Sequence, residues 1–148
     1  MLQLPKRDFC RLQILSLLWE GAALSTKILQ QMNPYQVEEF VRTKLGEMFG
    51  TIFRKQKLLV GYDSKNRPKV HEFDLVSDDM RIIGEIKSGR CISENYRSAL
   101  VDCFYLSKVK AQTKLMVFTD KKLYEHFKDN SEGLIGNNIR PILILPHV

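Results

Sequence analysis

Val70-His-Glu-Phe-Asp-Leu-Val-Ser-Asp-Asp-Met-Arg-Ile-Ile-Gly-Glu-Ile-Lys-Ser-Gly89 is the stretch that decides the fold. It reads as two short strands joined by the polar turn Ser77-Asp78-Asp79. Asp74 lies near the middle of the first strand, and Glu85 and Lys87 lie near the end of the second. Strand side chains alternate faces, so Glu85 and Lys87 point one way and Ile86 the other. By the same alternation Glu72 shares a face with Asp74 and His71 takes the opposite one. If the turn pairs the strands, two acids and a lysine converge among apolar neighbours. A buried charge is costly unless it is paired or bound to metal. The set is therefore either a structural ion-pair group or a metal-dependent catalytic site.

Upstream, Phe9, Leu12, Leu15, Leu18 and Trp19 recur at helical spacing, which predicts a helix over residues 8–20 stopped by Gly21. Ser25 is placed to cap a short second helix carrying Ile28, Leu29 and Met32. Pro34 suits the first turn of a third helix running to about Gly50. Its apolar stripe is Val37, Phe40, Val41, Leu45, Met48 and Phe49. From Lys57 to Tyr62 the chain reads as a strand, and Asp63 to Pro68 as a turn.

Downstream, Ser93 or Asn95 is placed to cap a helix to about Lys108, with Leu100, Val101, Phe104 and Tyr105 facing inward. Thr113 to Thr119 reads as a buried strand, Lys121 to Asp129 as a helix, and Pro141 to Leu145 as a last strand. Strand–helix–strand alternation implies parallel pairing with right-handed crossovers, and the central hairpin implies antiparallel pairing. The expectation is an α/β fold with a mixed sheet flanked by helices. Residues 1–34 form a helical N-terminal extension and 35–148 the core.

The chain has 148 residues, 44% hydrophobic and 27% charged, which suits one globular domain with a real core. A net charge of +6 tilts the expected partner towards nucleic acid or another anionic surface. Cys10, Cys91 and Cys103 are too few and too scattered for a disulfide framework or a zinc site, and read as reduced thiols. No signal-peptide pattern and no membrane-spanning apolar run is present, so the expected location is the cytoplasm, without membrane association.

Asp74, ten residues, then Glu85-Ile86-Lys87, set on an α-β-β-β-α-β order, resembles the PD-(D/E)XK nuclease superfamily. The resemblance covers roughly residues 35–119 and departs from the usual pattern in having Phe73 before the aspartate. It implies a restriction-endonuclease-like core and Mg²⁺-dependent hydrolysis of DNA phosphodiester bonds, with Mn²⁺ as a substitute ion, no organic cofactor, and a homodimer as the working unit. Asp74 and Glu85 supply the hard oxygen ligands that Mg²⁺ prefers. The resemblance adds the Ile86 carbonyl as a further ligand. The Lys87 ammonium is suited to contact phosphate and to position the attacking water. Related nucleases often add an acid from the first core helix. Glu38 lies at the margin of the apolar stripe and Glu39 nearly opposite it, so Glu38 is the expected accessory residue.

Eight basic residues lie between positions 42 and 69, among them Lys55, Lys65, Arg67 and Lys69. These residues, with Tyr96 and Arg97 on the helix after the motif, are the expected nucleic-acid contacts. Residues 8–76 also resemble a winged helix-turn-helix with a basic wing at Lys65–Lys69, which would make the chain a non-enzymatic DNA-binding protein. Against that, Glu38-Glu39 at the start of a recognition helix would repel phosphate. A degenerate nuclease fold used in protein assembly is a third possibility.

Overall fold

The computed structural model describes residues 32–136 and 138–145. The helices expected over 8–20 and after Ser25 lie outside them, and with them the first two helices of the winged-helix reading. Helix α1 (Pro34–Phe49) begins with a capping box. The Asn33 side chain accepts from the Gln36 N–H at 2.9 Å, and the Gln36 side chain accepts from the Asn33 N–H at 3.0 Å. The helix stops at Gly50, whose φ of 64° is left-handed and favours glycine.

Five strands follow: β1 (Phe53–Tyr62), β2 (Pro68–Ser77), β3 (Ile82–Lys87), β4 (Thr113–Phe118) and β5 (Ile139–Leu143). Helix α2 (Ile92–Leu106) links β3 to β4, and α3 (Lys121–Ser131) links β4 to β5. The strands form one mixed sheet in sequence order, antiparallel from β1 to β3 and parallel from β3 to β5. Two right-handed crossovers stepping the same way along a sheet place both helices on one face. Accordingly α2 and α3 bury Ala99, Cys103, Leu106, Leu123 and Phe127 against Phe73, Ile83, Met116 and Phe118. On the other face α1 buries Val37, Val41 and Leu45 against Leu75, Ile86, Leu115 and Val117. β4 is covered on both sides, which is why its sequence is an almost unbroken apolar run.

The register contains one irregularity that matters for the site. Arg54 faces Val76 and Gln56 faces Phe73, so two steps along β1 match three along β2. The extra residue is a bulge around Asp74. It explains why Phe73 and Leu75, two apart, enter opposite cores. Beyond it the β2–β3 ladder pairs only Leu75 with Gly84 and Val76 with Ile83.

Several expected details are corrected. β1 starts at Phe53 rather than Lys57, because its polar start pairs with β2 at an exposed edge. β5 runs over Ile139–Leu143, two residues earlier than expected. α2 is capped at Cys91, and Ser93 and Asn95 both lie inside it. Its sheet-facing residues are Ala99, Asp102, Cys103 and Leu106. Leu100 and Tyr105 are partly buried, but Val101 and Phe104 are exposed, at 54% and 56%. No helix of the described residues is long and apolar enough to cross a membrane.

Candidate functional site

The bulge brings Asp74 and Glu85 together. With the ladder open, the Asp74 side chain takes over its role: Asp74 Oδ2 accepts from the Ile86 N–H at 3.0 Å. In return the Asp74 N–H donates to Glu85 Oε2 at 3.2 Å. A strand residue's N–H and C=O point to the same side, so the Ile86 carbonyl also faces the opening beside Asp74. Glu85 is 3% exposed, and its other oxygen, Oε1, lies 2.6 Å from His71 Nε2. The His71 ring is held by stacking on Tyr105, with centroids 4.0 Å apart and planes within 6°.

Lys87 shares the α2 face with Glu85 but turns to Asp102 on α2. Its Nζ stands 2.5 Å from Asp102 Oδ2. This buried oxygen thus has the Lys87 ammonium as its partner. On the α1 side, Lys55 Nζ lies 3.7 Å from Glu38 Oε2, 3.7 Å from Glu72 Oε1 and 3.8 Å from Asp74 Oδ1. Glu38 is thus on the Asp74 side of α1. Glu39 instead pairs with Arg42 at 2.6 Å, and Arg42 Nη1 donates to the Asp74 carbonyl at 3.0 Å.

Glu85 and Asp102 are buried close to Asp74, with Lys87 paired to Asp102 and Lys55 to Asp74. The electrostatic result is visible in Glu85: burial, then the charges of Asp102 and Asp74, push its carboxyl up to about 10. Burial also raises Asp102, against the lowering influence of Lys87. Burial, with Asp74 next, raises Glu38. Burial, with Asp102 and Glu85 next, pushes the Cys103 thiol up to about 12. The pocket is short of positive charge. Carboxylate oxygens in excess of their donors form a donor set that fits a divalent cation.

The expected nucleic-acid contacts are dispersed. Lys65, Arg67 and Lys69 lie at the end of the β1–β2 hairpin, where Asp63 gathers them. It accepts from the backbone N–H of Lys65 and Arg67, and pairs with Arg67 Nε at 2.8 Å and Lys69 Nζ at 3.8 Å. Lys55 belongs to the acidic rim described above. Tyr96 packs between α2 and α3, its hydroxyl donating to the Asn130 carbonyl at 3.2 Å, and Arg97 is exposed on α2. His71 and Asp102 were not expected at the site. One sequence signal pointed to Asp102: an interior lysine at position 87 requires an acid, and the next helix offers only Glu94 and Asp102. For His71 there was no such signal, because strand alternation sets it opposite Asp74.

Comparison with protein-family models, with curated proteins and with solved structures returns no match to this chain.

Proposed function

We propose that the chain is a metal-dependent DNA endonuclease with a PD-(D/E)XK-type, restriction-endonuclease-like core. One observation carries the reading: the bulge at Asp74 opens the β2–β3 ladder where Glu85, Ile86 and Lys87 follow one another. The element order α1-β1-β2-β3-α2-β4 supports it, with Asp74 on β2 and the other three residues on β3.

Asp74, Glu85 and the Ile86 carbonyl would hold Mg²⁺, or Mn²⁺ in its place. Such an ion supplies Lewis-acid stabilisation of the phosphate and a bound water of lowered pKa. The protein's own residues do the rest. Asp102 holds Lys87 in one orientation, with its remaining N–H groups free to contact a phosphate oxygen and the attacking water. Glu38, kept near Asp74 by Lys55, orients a water from the α1 side. The hairpin runs six residues from Asp74 to Pro68, roughly 20 Å at strand rise, long enough to lie in a DNA groove with Lys65, Arg67 and Lys69 at its end. A homodimer would place one such site on each strand.

Purified protein is expected to cut DNA in Mg²⁺, and Lys87→Ala to lose about 10²-fold or more of that rate. Equal rates for Lys87→Ala and wild type would sink the reading.

A further inference from the structure

His71 and Asp102 have no ligand role in the Mg²⁺ reading, yet they close on Glu85 from the α2 side. One donor atom from each of His71, Glu85 and Asp102 lies within 4.8 Å of the other two. Around an ion bound at about 2.1 Å, neighbouring octahedral ligands stand about 3.0 Å apart and opposite ones about 4.2 Å. Small side-chain movements would therefore bring the three atoms onto one ion.

The ligands are also held ready. Tyr105 stacks on the imidazole, and Phe73 packs against it with ring centroids 4.8 Å apart and planes at 80°, so Nε2 is directed at Glu85 Oε1. The 2.6 Å contact between those atoms is bridged by a single proton, the position a metal ion would take over. Asp102 is the third member: it is buried on α2, and its Oδ2 is ion-paired with Lys87 at 2.5 Å. A carboxylate has two oxygens, so Asp102 can hold Lys87 with one and an ion with the other.

The imidazole decides which ion. Mg²⁺ prefers oxygen and keeps its waters, whereas first-row transition ions accept nitrogen readily. We infer that His71, Glu85 and Asp102 form a binding site for a first-row transition-metal ion such as Mn²⁺, held through one nitrogen and two carboxylates. The site shares Glu85 with the proposed hydrolytic centre and rests on that reading for its use, but binding is measurable apart from cleavage.

The test is a titration of Mn²⁺ into the full chain, following the electron paramagnetic resonance of the free ion, with Mg²⁺ as competitor. Wild type is expected to bind Mn²⁺ at least about ten-fold more tightly than Mg²⁺. His71→Gln and Asp102→Asn are each expected to raise the Mn²⁺ Kd about ten-fold or more. Circular dichroism checks that each variant folds. Should His71→Gln not fold, Asp102→Asn and the wild-type preference between the two ions decide. Displacement of Mn²⁺ by an equal concentration of Mg²⁺ overturns the inference, as does wild-type Mn²⁺ affinity in His71→Gln. Mn²⁺ binding that requires His71, in a protein that cuts no DNA, leaves this site standing and removes the nuclease reading. Cleavage without any role for His71 in binding does the reverse.

Discussion

Glu85→Gln is expected to give a protein that is more stable than wild type at pH 8 without metal, and that has lost DNA cleavage by about 10²–10³-fold or more. Glu85 is 3% exposed, and its carboxyl is raised from an ordinary 4.5 to about 10 by burial and by Asp102 and Asp74. Between those two values the folded protein keeps a proton that the unfolded chain releases. Stability from this group is therefore complete below about pH 4.5 and is lost as pH rises towards 10. The slope is at most about 1.4 kcal/mol per pH unit. Glutamine removes that proton uptake and keeps the shape. Its amide oxygen can accept from the Asp74 N–H, and its amide N–H can donate to His71. Asp102, raised in the same direction by burial, leaves a residual slope. Urea unfolding at pH 5, 7 and 9 in a chelator measures this. An unchanged slope in Glu85→Gln would show that Glu85 does not carry the proton.

The second large effect concerns Gly84, one residue before Glu85. A Cβ there would stand 2.7 Å from the Leu115 carbonyl oxygen, 3.0 Å from Leu115 Cβ and 3.1 Å from Leu75 Cδ1. The nearest obstacle is backbone, so it cannot swing aside. Gly84 pairs with Leu75 on one flank and Leu115 on the other, and a methyl group would wedge β3 from β4. Gly84→Ala is expected to cost about 1–3 kcal/mol. For a chain of this size the melting temperature then falls by about 4–12 °C. Because the wedge adjoins Glu85 and Ile86, metal affinity should fall with it. A melting temperature equal to wild type would mean that the two strands have room the packing denies them.

The central strands were legible because their sequence is under strong physical constraint. Ile83 to Ile86 and Leu115 to Phe118 are buried, so they must be apolar where they face a core. The start of β1 was not legible, because Arg54, Lys55 and Gln56 face water at a sheet edge, where composition is free. In α2 two stripes satisfied helical spacing equally well. Leu100, Val101, Phe104 and Tyr105 formed the more apolar one, but Ala99, Asp102, Cys103 and Leu106 face the sheet. Small residues allow close packing, and Asp102 supplies the partner Lys87 requires. The site was legible in Asp74, Glu85 and Lys87 and incomplete in His71 and Asp102. Alternation along β2 cannot reveal a bulge, and the bulge lets Glu85 reach Asp74 on one side and His71 on the other.

The most direct measurement is a cleavage panel of linear, nicked, flapped and four-way DNA, run with wild type and Asp74→Asn in Mg²⁺, in Mn²⁺ and in chelator. The expected result is that wild type cuts at least one of these substrates only when a divalent ion is present, and that Asp74→Asn cuts none at a comparable rate. A wild-type protein that cuts none of them in either ion, or an Asp74→Asn variant that cuts as fast as wild type, would contradict the assignment of this site to phosphodiester hydrolysis.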